Sequence, residues 1–196
     1  MFKNSAGSFS GEMTIQFSKS DFKLNIFAPI IGSLIYSLKA NSKKLLVVNF
    51  QEKYYLLEDN NEDIRQKWLG MNISLNELKI LILGNLPIKK NGWIKKVISK
   101  KEYRIFKGST ELVFLLSSNG NIKSMEKFTG GLLEYRAEIP FYKTFKNKDY
   151  PRKLIIKDFY SKNEWKIIIS EVQKLPYKIN PIKLNPPDNM SKFLGY

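Results

Sequence analysis

The feature that most constrains the fold is a succession of short segments in which apolar and polar residues alternate. In residues 21–26, Phe22, Leu24 and Ile26 alternate with polar neighbours, which is the pattern of a half-buried strand. An Asn-Gly pair at 119–120 separates two such segments and is typical of a hairpin turn. The pattern over 9–17 is mixed, and clear strands are expected over 21–26, 34–38, 45–50, 54–57, 93–98, 102–107, 110–117, 121–128, 131–139, 152–159 and 164–172. About eleven closely spaced strands predict a mainly β fold: a meander, a sandwich or a barrel.

The strand pattern is interrupted once, over residues 60–86, by a segment with helical signals. Asn60 or Asn61 can cap a first helix, and the acidic residues that follow favour its positive end. Within that helix Ile64 and Trp68 lie four residues apart and share one face. The first helix of the segment is therefore expected to bury an apolar face.

A second helix is predicted to begin at Ser74. Glu77 follows three residues later, so the two side chains can form a capping box. The apolar stripe of this helix contains Leu75, Leu78 and Ile82, and a glycine and a proline beyond the stripe end it. Because the second half of the helix is apolar almost all round, we expect it to be covered on more than one side.

The chain has 196 residues and contains neither cysteine nor histidine. Disulfides, thiol nucleophiles, histidine-based catalytic dyads and nearly all zinc, haem and iron–sulfur sites are therefore excluded. We expect no enzyme activity, no cofactor and no metal. The length fits a single domain over residues 1–196, and the prolines over 176–196 predict an extended C-terminal strap.

The charge is strongly positive: 33 lysines and arginines against 18 aspartates and glutamates give +15. Such a field attracts nucleic acid or an anionic membrane surface. Arginine, the residue of bidentate phosphate recognition, is scarce, so we expect no nucleic acid partner. Two interpretations stay open, a solvated lysine-rich surface and a preference for an anionic membrane surface.

Several strands carry apolar residues at consecutive positions, as in residues 45–48, 112–116 and 167–169. Apolar residues on both faces of a strand fit either a packed core that the helices plug or a cavity beneath a helical lid. An apolar cavity with few polar groups suits acyl chains better than a polar metabolite. Composition alone leaves both interpretations open.

Three passages carry a resemblance to a known family. Residues 68–87 read WLGMNISLNELKILILGNLP, residues 22–34 read FKLNIFAPIIGSL, and residues 150–156 read YPRKLII. The first two resemble the helix pair and the strand–corner–strand passage of the LolB family of outer-membrane lipoprotein receptors. The third is similar to a late strand of the wider LolA/LolB lipoprotein-carrier superfamily. The resemblance runs in the same order over residues 7–172.

This resemblance implies an incomplete, half-open antiparallel β-barrel of about eleven strands, with residues 60–86 as a helical lid. It also implies non-catalytic binding of lipoprotein acyl chains, or another lipid, in an apolar cavity and their transfer to the outer membrane. A periplasmic LolA-like carrier would supply the cargo. We expect a monomer at the periplasmic face of the outer membrane, a lipoprotein whose signal and anchor lie outside this sequence. A soluble periplasmic carrier of the same superfamily is the alternative.

The resemblance assigns roles to particular residues. The corner is predicted to form a membrane-insertion loop, in which Ile30 or Ile31 takes the place of the family's leucine; its members are Pro29, Ile30, Ile31 and Gly32. The alternating positions predict a cavity wall formed by Phe22, Leu24, Ile26, Leu34, Tyr36, Leu38, Val47 and Phe114. The lid residues are Ile64, Trp68, Leu75, Leu78 and Ile82. Which strand face lines the cavity stays open, because a one-residue slip in register inverts it.

A basic nucleic-acid-binding β-barrel is the main interpretation from another class. Basic and aromatic residues are interleaved over 93–96 and 100–104, a pattern that such proteins use. The apolar helix pair has no role in a barrel of that kind. A lipid hydrolase is disfavoured because no histidine can act as its base.

Overall fold

The computed structural model describes residues 2–4, 7–9, 11–18, 21–61, 72–87, 93–145, 147–171 and 183–192. The chain divides into two compact units. The first contains residues 1–8 and 70–173, and the second contains residues 9–69 and 174–196. That both units belong to one domain stays a prediction.

The second unit contains a six-stranded sheet. Its strands are β3 (Glu12–Phe17), β4 (Phe22–Phe27), β5 (Leu34–Ala40), β6 (Lys44–Asn49), β7 (Tyr54–Asp59) and β15 (Ser191–Lys192). Strands β3 to β7 form an antiparallel meander in chain order, and β15 pairs with β7 in parallel. All four residues from Leu45 to Val48 in β6 are buried, so both faces of this central strand are covered.

The nine-stranded sheet belongs to the first unit, except for Phe9 at the end of one edge strand. Its strands are β1 (Phe2–Asn4), β2 (Gly7–Phe9), β8 (Ile94–Ser99), β9 (Glu102–Lys107), β10 (Thr110–Leu116), β11 (Ile122–Thr129), β12 (Leu132–Phe145), β13 (Lys148–Asp158) and β14 (Glu164–Ile168). The spatial order is β2-β1-β14-β13-β12-β11-β10-β9-β8. Its core face follows from the register, which places Phe114 beside Met125, Met125 beside Ala137, and Ala137 beside Ile156. All four of these side chains are fully buried.

The helix α1 (Leu75–Leu83) lies between β7 and β8 in the chain and packs against β13. Its predicted capping box is present: Ser74 accepts from the Glu77 backbone N–H, and the Glu77 carboxylate accepts from the Ser74 N–H. The helix ends at Gly84, whose φ of 64° is left-handed. A Cβ atom there would lie 3.0 Å from Pro151 Cδ, so a glycine permits the close approach of helix and sheet.

The mainly β prediction is confirmed, and the predicted number of strands is not. The described residues form fifteen strands in two sheets, compared with about eleven predicted for an incomplete barrel. The long segment between β7 and β8 separates the two meanders, because only a short turn favours a hairpin between consecutive strands. Each sheet is open, with β2 and β8 at the edges of one and β3 and β15 at the edges of the other. The predicted first helix lies largely outside the described residues. No described helix has the length and hydropathy needed to span a bilayer.

Candidate functional site

Most of the predicted wall residues lie on one face of the six-stranded sheet. In the register of β4 and β5, Leu24 lies beside Leu38 and Ile26 lies beside Tyr36. Leu38 in turn lies beside Val47 of β6. Residues that are directly opposite in an antiparallel pair project from the same face. Six predicted wall residues therefore share one face: Phe22, Leu24, Ile26, Tyr36, Leu38 and Val47.

This apolar face is largely shielded from water. Phe22 and Leu24 are 3% and 2% exposed, and Leu38 and Val47 are fully buried. Ile26 and Tyr36 are half-buried. Burial raises the pKa of the Tyr36 phenol, with a smaller contribution from Tyr54, so Tyr36 stays neutral at physiological pH. An acyl chain would reach the buried members only by displacing the groups that cover them.

Two predicted wall residues lie elsewhere. Leu34 pairs with Phe27 beyond a register shift, so it does not continue the row of Leu38 and Tyr36. Phe114 belongs to the nine-stranded sheet, where its ring meets the Tyr103 ring edge-on with centroids 5.8 Å apart. Alternation within each strand was visible in the sequence, but the bulge in β5 and the division into two sheets were not.

The predicted corner between β4 and β5 is a tight, hydrogen-bonded loop. The Ala28 N–H donates to the Ser33 carbonyl at 2.8 Å, and the Gly32 N–H donates to the Ala28 carbonyl at 3.1 Å. The Ile31 N–H donates to the Pro29 carbonyl at 2.9 Å, which closes a γ-turn centred on Ile30. These bonds fix the loop without using its side chains.

The two isoleucines of this loop project into solvent. Ile30 has a relative exposure of 106% and Ile31 has 82%. Ile30 also has a φ of 73°, a left-handed conformation that β-branched residues rarely adopt. Ile30 is at the centre of the turn and is the more exposed of the two, so it forms the tip of the loop.

The predicted lid residues that the structure describes lie on α1. Leu78 and Ile82 are buried, at 1% and 7% exposure, and Leu75 is half-buried. Ile64 and Trp68 lie outside the described residues. The side of α1 away from its buried stripe borders a shallow groove of about 330 Å³. The groove is lined by Asn76, Lys79, Ile80, Leu83, Asn85, Leu86 and Pro87.

A buried polar cluster, which the sequence did not reveal, holds the segment that leads into α1. Lys127 is 3% exposed, and its ammonium lies 2.9 Å from the Glu134 carboxylate. The Asn72 amide donates to the same carboxylate at 2.8 Å, and the Asn72 backbone N–H donates to Asp158 at 2.9 Å. Glu134 reaches Lys127 because it is the extra residue of a β-bulge in β12. The cluster ties α1 to β11, β12 and β13.

Comparison with known proteins identifies two solved structures with a similar fold. A domain named for outer membrane lipoprotein sorting, from Vibrio parahaemolyticus, matches with a TM-score of 0.57 and 13% identity, over 87% of this chain and 80% of that chain. A LolA superfamily protein from Nitrosomonas europaea matches with a TM-score of 0.53 and 11% identity, over 81% and 75% of the two chains. No protein-family model and no curated protein matches the sequence. The predicted resemblance is confirmed as a LolA/LolB-like fold.

Proposed function

We propose that this protein binds the acyl chains of lipoproteins, without catalysis, and delivers them to the outer membrane. The observation that carries the proposal is the loop of Pro29, Ile30, Ile31 and Gly32, which exposes two isoleucines at 106% and 82%. Exposing an aliphatic side chain costs about 1.5–3 kcal/mol relative to burying it. Insertion into the hydrocarbon of a membrane recovers that free energy.

The proposed acyl site is the apolar face of the six-stranded sheet. Its members Leu24, Leu38 and Val47 are apolar and buried, so an acyl chain binds them only by displacing the groups that cover them. Each CH₂ group of the acyl chain that leaves water contributes about 0.8 kcal/mol towards this exchange, without polar contacts. A modest difference in apolar contact between donor and receptor then suffices to transfer the chain. The LolA/LolB-like fold supports this carrier role.

The biological setting is part of the proposal. The donor is a periplasmic LolA-like carrier, and the protein acts as a monomer at the periplasmic face of the outer membrane. Opening of the site by the helical segment 60–86, including Leu75, Leu78 and Ile82, stays a prediction from the sequence. A soluble periplasmic carrier of the same superfamily is the second candidate, favoured by the likeness to a LolA superfamily structure.

Binding and delivery are tested separately. The full chain is titrated with a fluorescent diacylated lipopeptide, and release of the bound lipopeptide into vesicles is then followed. In Ile30→Glu/Ile31→Glu, binding should persist while the rate of release falls by at least about tenfold, because a charged loop enters lipid poorly. The matched control is Leu132→Glu, which changes a side chain that is 76% exposed at the start of β12.

Each outcome selects among the candidates. Release that is unchanged in the double variant indicates the soluble carrier rather than the receptor. Failure of the wild-type chain to bind the lipopeptide would overturn both. Equal loss of release in Leu132→Glu would show that the effect comes from surface charge and not from the loop.

A further inference from the structure

The hairpin formed by β12 and β13 extends past both of its neighbouring strands. Its pairing continues to Phe145 opposite Lys148. By contrast, β11 pairs with β12 only as far as Glu138, and β14 pairs with β13 only from Lys153 onward. Residues 141–145 and 148–151 therefore form a two-stranded projection, here called the hairpin tip.

A register shift at Pro140 determines which side chains the tip exposes. Ile139 is 3% exposed on the core face of the sheet. Between Glu138 and Phe141, β12 has one residue more than β13, and this bulge pairs Phe141 with Lys153. Phe141 is consequently 61% exposed, although it lies two residues beyond a buried isoleucine.

The core-facing side of the tip is anchored to the rest of the unit. The Tyr142 hydroxyl donates to the Ile122 carbonyl at 2.7 Å. The Asp149 carboxylate accepts from the Thr144 hydroxyl at 2.6 Å and from the Asn121 amide at 2.8 Å. The hydrogen bond from Thr144, and to a smaller extent the one from Asn121, lowers the pKa of Asp149 below its usual value. The Asp149 carboxylate is thus hydrogen-bonded on the anchored side of the tip.

The opposite side, here called the basic aromatic face, combines aromatic rings with lysines. The register places Phe141 beside Lys153, Lys143 beside Tyr150, and Phe145 beside Lys148. Phe145 is 51% exposed, and the Lys148 ammonium lies 5.2 Å from the centroid of the Tyr150 ring. The six members of this face are Phe141, Lys143, Phe145, Lys148, Tyr150 and Lys153.

We propose that the basic aromatic face docks the protein on an anionic lipid surface. Aromatic rings partition into the interface between headgroups and acyl chains, while lysines extend their ammonium groups to lipid phosphates. The ammonium groups of Lys143, Lys148 and Lys153 complement a negatively charged surface, while the charged Asp149 carboxylate lies on the anchored side of the tip. This role goes beyond the proposed function, because it requires neither an acyl cargo nor the isoleucine loop.

The surroundings favour lipid over nucleic acid. A single-stranded nucleic acid needs a continuous track of positive charge and stacking surfaces. Away from the tip, the same face of the sheet carries the mixed ion pairs Arg136–Glu126 at 2.7 Å and Lys157–Glu164 at 3.8 Å. These ion pairs leave no surplus of positive charge to form such a track, whereas a lipid surface contacts the projecting tip alone.

Flotation with cargo-free protein tests the proposal. Vesicles of phosphatidylcholine alone are compared with vesicles containing about a quarter phosphatidylglycerol, at about 50 mM NaCl, where surface charges are weakly screened. The wild-type chain should bind the anionic vesicles at least about tenfold more tightly than the neutral ones. Phe141→Ser/Lys143→Gln/Lys148→Gln should abolish most of that preference.

A matched control tests whether the effect depends on where the substitutions lie or only on the residue types that they remove. Leu132→Ser/Lys100→Gln/Lys101→Gln removes one exposed apolar side chain and two exposed lysines elsewhere, and it should bind as the wild type does. Thermal unfolding of each variant verifies that it is folded. As a second measurement, the Phe141→Trp variant should show an additional blue-shifted emission on anionic vesicles, which reports burial of the tip in lipid.

The outcomes are distinguishable from those of the proposed function. The Ile30→Ser/Ile31→Ser variant should retain the preference for anionic vesicles, even if delivery of lipopeptide fails. The proposal is overturned if the hairpin variant keeps the wild-type preference, or if the Phe141→Trp variant gains no blue-shifted emission on anionic vesicles. Tighter binding of an oligo-dT strand than of anionic vesicles, lost in the same hairpin variant, would assign the face to nucleic acid instead.

Discussion

At the scale of single residues, Ile30 combines two unfavourable properties. Its side chain is fully exposed, and its φ of 73° is strained for a β-branched residue. The sequence indicated the corner through Pro29 and Gly32, because proline and glycine mark turns. It did not show which isoleucine forms the tip, because that depends on backbone hydrogen bonds closing the loop between Ala28 and Ser33. Stability alone would favour glycine at position 30.

Replacing Ile30 by glycine should therefore stabilise the folded state. A left-handed non-glycine residue costs about 1–3 kcal/mol, and the greater freedom of glycine in the unfolded chain offsets about 0.5–1 kcal/mol of the gain. Urea unfolding should show Ile30→Gly to be more stable than Ile31→Gly, the matched control, because only position 30 has a positive φ. Equal stability of the two variants would contradict the strain assigned to Ile30.

At the scale of elements, alternation predicted the strands well. The segments expected over 102–107 and 110–117 correspond to Glu102–Lys107 and Thr110–Leu116. The outer half of the β12–β13 hairpin was missed, because Pro140 and Pro151 normally end strands. Here both prolines lie at register shifts, where a missing N–H does not break a regular ladder. The position of a bulge depends on the partner strand and is not encoded in local pattern.

The polar cluster at the entry to α1 is a second feature that depends on a bulge and that the local sequence pattern does not predict. In the sequence Lys127 is one more polar residue of an alternating strand. In the structure it is 3% exposed, because a bulge in another strand brings Glu134 to it and Asn72 completes the cluster. Three-dimensional pairing, and not residue type, thus determines that this lysine anchors the entry to the helix.

Lys127→Met should destabilise the protein by less than the about 3–5 kcal/mol of a fully buried pair, because the Glu134 carboxylate that loses its cation is 19% exposed. The double variant Lys127→Met/Glu134→Leu should be less destabilised than Lys127→Met alone, since it buries no unpaired charge. Chemical denaturation of the single and double variants measures this difference. Lys44→Met, which removes an exposed ion pair with Asp59, serves as the control and should change stability little. A double variant as unstable as the single one would argue against the buried pair.

At the scale of the whole molecule, the sequence predicted which residues form the candidate site better than it predicted which sheet each of them belongs to. Six of the predicted wall residues share one face of the six-stranded sheet, because register preserves the alternation of neighbouring strands. Phe114 lies in the other sheet, and nothing in its local pattern distinguishes the two. The assignment of strands to sheets depends on long-range pairing, which local alternation does not specify.

Because the net charge is +15, added salt should affect the stability of the whole molecule in two opposing ways. Salt screens the mutual repulsion of the lysines, which stabilises the folded chain, and it also weakens surface ion pairs such as Arg136–Glu126. Each exposed pair contributes only about 0–1 kcal/mol, so relief of repulsion should dominate. Raising NaCl from about 20 to about 300 mM should increase the unfolding midpoint by roughly 2–4 °C, equivalent to about 1 kcal/mol.

A variant with less charge makes the origin of this salt effect testable. Lys43→Gln/Lys100→Gln/Lys101→Gln/Lys107→Gln changes four exposed lysines and lowers the net charge from +15 to +11, since 15 − 4 = 11. Repulsion grows with the square of the charge, so the salt-induced increase should fall to about half of the wild-type value. An increase that does not depend on charge would indicate a general salt effect on apolar burial. A decrease in the wild-type midpoint with salt would show instead that the surface ion pairs outweigh the repulsion.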